Sequence, residues 1–136
     1  MKRVIRAMIG VAALGLGLGG TAALAFEHQG RPHLLSAIEA GLWEVSYPAR
    51  KIAPKRFCVA DVSLLAQVEH IGRQCTRMTV SEDADSALMR YTCTRGGFGS
   101  SDMQVVTPRS LRIQTQGIKD GLPFHDTLHA RRIGSC

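Results

Sequence analysis

The chemistry this sequence offers most plainly belongs to four cysteines, Cys58, Cys75, Cys93 and Cys136. Thiols can hold zinc, run redox exchange or form structural disulfides. Zinc sites usually bring cysteines in close C-x2-4-C pairs, and thiol redox work favours C-x-x-C. Here successive cysteines lie 17, 18 and 43 positions apart. An even number at wide spacing reads as a disulfide framework. Four cysteines allow three connectivities. The expectation is Cys58–Cys75, closing a local strand–helix–strand unit, with Cys93–Cys136 pinning the last strand to an earlier one. Chain ends fray first, so a tie at Cys136 suits a terminal strand.

The other chemistry-bearing groups are weaker candidates. His125 and His129 are four apart in FHDTLHARRI. On a helix they would share a face as metal ligands do. On a strand the same spacing puts them roughly 13 Å apart, too far for one ion, and the stretch reads as a strand. His70, in EHIG, is a third imidazole with nothing to place it beside them. Ser100, Ser101 and Asp102 in GFGSSD lack a histidine base, and no G-x-S-x-G elbow occurs. Glu82, Asp83 and Asp85 make one acidic turn without the spacing of a calcium loop. RGGFG, residues 95–99, lacks the Lys-Ser/Thr that follows a phosphate loop. The expectation is therefore no catalytic, cofactor-binding or metal residue, and a protein that is not an enzyme.

These groups must be carried by strands. GLWEVSY places Trp43, Val45 and Tyr47 on one face, and Pro48 ends the run. KRFCVA, residues 55–60, is a short strand. Asp61 caps a brief helix, VSLLAQVEHI, which Gly72 stops. In QCTRMTVSED, Thr76, Met78 and Val80 share a face. Ala87, Met89, Tyr91 and Cys93 alternate inward against Leu88, Arg90, Thr92 and Thr94. RGGFGSSD reads as a flexible glycine–serine loop. Asp102 to Thr107 is a strand broken by Pro108. Ser110 to Gln116 alternates again, KDG at 119–121 is a turn signal, and Phe124 to Ile133 is the last strand. Leu34 to Ala40 can make two helical turns stopped by Gly41. About six or seven short strands at regular spacing predict a mainly β domain. The expected form is a single antiparallel meander, a curved sheet or partly closed barrel, with one or two short helices.

The amino-terminal stretch has the layout of a secretory signal peptide. Lys2, Arg3 and Arg6 precede an uncharged run from Ala7 to Phe26, and Ala23-Leu24-Ala25 supplies small residues at an A-x-A cleavage site. The run is long enough to span a bilayer, but Gly10, Gly15, Gly17, Gly19 and Gly20 weaken it as a permanent helix. The expectation is a signal peptide over residues 1–25 and one disulfide-bonded domain over 26–136, periplasmic or secreted, without stable membrane insertion after cleavage. Losing the three cations takes the formal charge from +6 to +3. That is ordinary solubility, without the clustered basic and aromatic residues of a nucleic-acid surface.

GLWEVS, FCV, a second cysteine 17 residues on, YTC and the closing RRIGSC follow one order along the chain. In that order they resemble an uncharacterised family of small exported bacterial proteins, a domain of unknown function. The resemblance spans nearly all of residues 26–136 and implies an exported disulfide-bonded β domain. It implies no activity and no catalytic residues. Two functions fit: a structural or interaction module that binds an envelope protein, or a carrier or sensor of a small apolar ligand on the concave face of the sheet. A filled sheet face would favour the first, and a cavity of several hundred Å3 the second.

Overall fold

In a computed structural model, residues 33–136 are described. The expected signal peptide, and the lead-in as far as Pro32, lie outside the described residues. The domain is mainly β: seven antiparallel strands form one sheet that is not closed. They are β1 (Gly41–Ser46), β2 (Lys55–Val59), β3 (Cys75–Glu82), β4 (Ser86–Cys93), β5 (Phe98–Thr107), β6 (Ser110–Lys119) and β7 (Leu122–Gly134). Their order across the sheet is β2-β1-β7-β6-β5-β4-β3. β3 to β7 run as consecutive hairpins. β1 then adds to the far side of β7, so the first and last strands are neighbours.

The hairpins follow their turn residues. Between β6 and β7, Asp120 (φ 51°) and Gly121 (φ 79°) both take left-handed backbone, with Lys119 opposite Leu122. Two left-handed residues make the tight turn whose twist matches the flanking strands. Irregular registers between Leu42 and Trp43, Thr79 and Ser81, and Val105 and Thr107 mark bulges, which bend strands.

One sheet face is covered by the chain itself. The stretch Val62–His70 is a 3-10 segment, capped by Asp61, whose side chain accepts from Ser63 N at 2.9 Å. A kink at Gln67 (φ −107°, ψ 29°) interrupts it. It leaves one sheet edge after β2, crosses the inner face against β4, β5 and β6, and delivers the chain to the opposite edge at β3. Trp43, Val45, Leu65, Met103, Ile113 and Leu128 are fully buried between sheet and segment. Burial of this kind contributes roughly 1.5–3 kcal/mol per large apolar side chain.

The sheet differs from expectation at three places. GFGSSD is not a loop: the turn ends at Gly97, β5 begins at Phe98, and Ser101 is fully buried. The amino-terminal helix α1 (His33–Ser36) is a single turn, and Gly41 opens β1 instead of stopping a helix. Gly41 has φ +145°, and a Cβ there would sit 2.5 Å from the Gly134 carbonyl oxygen.

The disulfides are the third. They join Cys58 to Cys136 and Cys75 to Cys93, so the expected pairs Cys58–Cys75 and Cys93–Cys136 are not formed. The reason is the sheet order. Cys58 lies on edge strand β2 and Cys75 on the opposite edge strand β3. Six strand spacings of about 4.8 Å separate those edges along the sheet. The 62–70 segment is a crossover, not a local link. Cys75 instead faces Cys93 directly in the β3–β4 register, Cα to Cα 3.9 Å.

Candidate functional site

The inner face is layered along the strands. Ala87, Met103, Ile113 and Leu128 form one cross-strand row, all apolar and buried. The next row is Met89, Ser101, Thr115 and Asp126. Beyond it come Tyr91, Gly99, Gly117 and Phe124. The core thus changes from apolar to polar towards the β6–β7 turn. Alternation alone reveals the inward positions of these strands but not that they converge with residues from the 3-10 segment.

His70 ends that segment and is 1% exposed. Its Nε2 lies 3.1 Å from the Ile118 carbonyl oxygen and its Nδ1 lies 3.0 Å from the Tyr91 hydroxyl. A carbonyl only accepts, so Nε2 carries the proton and Tyr91 donates to Nδ1. The ring is held neutral in one tautomer. Burial lowers its pKa below the ordinary value, and Arg73 and Lys119 push the same way against the Ile118 bond and Asp120. Burial, with the nearby Glu69 charge, pushes the Tyr91 phenol up to about 12 against a hydrogen bond with Thr115. Ser101 Oγ lies 2.5 Å from the Ala66 carbonyl oxygen and 2.8 Å from Thr115 Oγ1. Its single proton can serve only one of them, and the shorter contact is with the carbonyl.

The glycines of RGGFG make room for this arrangement. A Cβ on Gly97 would stand 2.5 Å from His70 Nε2, and one on Gly99 would stand 2.5 Å from the Tyr91 hydroxyl oxygen. What reads in sequence as a flexible stretch is the cleared wall of a packed histidine–tyrosine pair.

A second polar group closes the same end. Arg50 makes a two-pronged ion pair with Asp126 and lies over the Tyr47 ring at 5.0 Å. The Tyr47 phenol is held well above its usual range by burial and by its hydrogen-bonded neighbour Glu69. Glu69 is 7% exposed, and its Oε1 has no hydrogen-bond partner. No nucleophile here has access to a substrate. The inner face is a packed interior in which two buried oxygens, Glu69 Oε1 and Thr79 Oγ1, have no hydrogen-bond partner among the described residues.

The outer face is different. Along it lie Gln104, Arg112, His129 and Ser46 in one cross-strand row, and Ser110, Arg131 and Glu44 in the next. These rows border an open depression of about 530 Å3, lined by Ser46, Arg112, His129 and Arg131 with Glu44 at its side. A second depression of about 500 Å3 adjoins it and shares Ser110 and Arg131, adding Arg109 and Arg132. This groove is the candidate site. The arginines, scattered in sequence over four separate positions, are brought together by the pairing of β6 with β7 and by the turn before β6.

The sequence candidates distribute as follows. Cys58, Cys75, Cys93 and Cys136 are all bridged. His125 and His129 are both exposed on strand β7, opposite Gln116 and Arg112. His70 is buried on the other face and does not join them. Ser101 points inward, whereas Ser100 and Asp102 alternate to the outer face. Glu82, Asp83 and Asp85 lie at the β3–β4 turn, where Glu82 Oε1 accepts from Leu34 N at 2.8 Å. Among the described residues, no three His, Cys, Asp or Glu side chains cluster closely enough to hold a metal ion. No helix among them is long and apolar enough to cross a membrane. Two disulfides in one small domain match an oxidising environment.

Protein-family models, curated proteins and solved structures were compared with the chain, and none matches it.

Proposed function

We propose that the protein is an exported, non-catalytic binding module of the cell envelope that works through the outer face of its sheet. One observation carries this reading: the inner face is filled by Trp43, Met89, Met103, Ile113, Leu128 and the 3-10 segment, while the outer face holds an open groove. A carrier of apolar ligands needs an empty apolar cavity, and the inner face offers packed side chains instead. Export rests on the signal-peptide layout of residues 1–25 and on the disulfides. Membership of the exported family that the motif order resembles is part of the same proposal.

Intact-mass analysis of protein recovered from the periplasm or medium tests it. The expected species starts at Phe26, carries both disulfides and brings no bound apolar molecule under native conditions. A species retaining residues 1–25, or one carrying a stoichiometric lipid, would overturn the reading.

A further inference from the structure

We infer that the outer-face groove binds a soluble ligand bearing two adjacent phosphate groups; this rests on the outer-face reading and names its ligand class. Arg109, Arg112, Arg131 and Arg132 line two contiguous depressions joined through Ser110 and Arg131. Glu44 is the sole carboxylate lining either depression. Counting His129 as neutral and Arg132 as paired with Glu39, the lining has Arg109, Arg112 and Arg131 against Glu44, a formal +2 of the +3 of residues 26–136. The field of the domain is therefore concentrated here.

Three of the four guanidinium groups are available. Arg109 and Arg112 have no ion pair or side-chain hydrogen bond among the described residues. Arg131 is 70% exposed and only loosely held, 3.9 Å from Glu44. Glu44 is satisfied elsewhere, because Arg56 Nε donates to its other oxygen at 3.0 Å. Arg132 is not one of the three: it pairs with inward-facing Trp43, and its guanidinium is held by the Ala40 carbonyl at 2.8 Å and by Glu39. Asp102 borders the next depression beyond Arg112, and no ion pair joins the two.

Arginine forks match phosphate oxygens in paired hydrogen bonds. A phosphate carries a charge near −2 at neutral pH, enough to draw Arg131 from the single carboxylate of Glu44. Ser110, whose hydroxyl lies 2.7 Å from Thr107 Oγ1, and His129 add polar groups beside the first position. Two depressions, each with its own arginines and one shared between them, fit two anionic groups held by one linker.

The test is a titration of isotope-labelled, oxidised protein at low salt with inorganic pyrophosphate, inorganic phosphate and phosphatidylglycerol vesicles, read by amide chemical shifts and calorimetry. Pyrophosphate is expected to bind at least about tenfold more tightly than phosphate, with shifts confined to residues 109–112 and 129–132. Arg112→Gln and Arg131→Gln should each weaken it about tenfold, while Arg90→Gln, exposed on β4 of the same face, leaves it unchanged. Equal, weak binding of both anions, or equal losses in all three variants, means an adventitious ion only and overturns the inference. Vesicle binding at the groove that pyrophosphate cannot displace overturns the ligand class but keeps the outer-face reading. Shifts confined to inner-face residues such as Thr115 and Tyr91 overturn both.

Discussion

Cys58 and Cys136 are joined across β1. Leu42 pairs with Cys58 on one side and with Gly134 on the other, so the bridge ties together the two strands that flank β1. Without it, β2 is held to the sheet through β1 alone. The bridge closes 78 positions of chain, whereas Cys75–Cys93 closes 18 and joins strands already linked by a short turn. The chain-entropy relation gives about 4.5 and about 3 kcal/mol for the two.

Non-reducing peptide mapping should therefore find Cys58 with Cys136 and Cys75 with Cys93. Cys136→Ser and Cys58→Ser should each cost about 2–5 kcal/mol in urea denaturation. The double variant should cost little more than either alone, because both remove one interaction. Additive losses would mean the two cysteines are not partners.

Gly97 and Gly99 stand against His70 and Tyr91, whereas Gly72 has open space around it. Gly72→Ala should cost only the strain of its positive φ, about 1 kcal/mol. Gly99→Ala should cost about 1–3 kcal/mol through overpacking against the Tyr91 ring. Gly97→Ala combines both effects and should be the worst of the three. Denaturation midpoints of the three variants decide the order, and equal losses would contradict the packed wall.

His70 predicts a pH dependence with a definite sign. Its folded pKa lies below the ordinary value of about 6.5, so the unfolded chain binds the proton more readily. The stabilisation is complete above about pH 6.5 and is lost as the pH falls from there through the folded pKa. His70→Gln preserves a donor for the Ile118 carbonyl and an acceptor for Tyr91, without the titration. Its stability curve should be flatter than the parent's below pH 6.5. Parallel curves would mean that His70 titrates no differently in the folded state.

The Arg50–Asp126 pair is asymmetric, with 39% of the Arg50 side chain exposed and 7% of Asp126. Arg50→Ala leaves a buried carboxylate uncompensated and should cost about 2–4 kcal/mol. Asp126→Asn keeps the shape and leaves Arg50 able to reach water, so about 1 kcal/mol is expected. Thermal unfolding at neutral pH separates them, and the reverse ranking would show that Asp126 is not the group that depends on its partner.

Much of this fold can be read locally. Trp43, Val45 and Tyr47, and Ala87, Met89 and Tyr91, alternate as inward faces in both sequence and structure, because alternation is a property of each strand alone. Lys119-Asp120-Gly121 shows its turn for the same reason. Sheet order is not local. Nothing between Gly41 and Gly134 announces that β1 lies beside β7, and that one pairing sends Cys58 and Cys75 to opposite edges and reverses the expected bridges. The glycines of RGGFG mislead because a missing Cβ serves flexibility and close packing equally well. The arginine groove escapes for both reasons: Arg109, Arg112, Arg131 and Arg132 look like scattered surface charge until β6 and β7 are paired.

The account depends most on a filled inner face and a working outer one. Methyl-resolved NMR under xenon pressure tests this directly, since dry apolar cavities take up xenon. The methyl groups of Leu65, Met89, Met103, Ile113 and Leu128 should show only a small, linear pressure drift. Saturable xenon shifts at those methyls would reveal an apolar cavity under the 3-10 segment, contradict the account and restore a ligand-carrying interior.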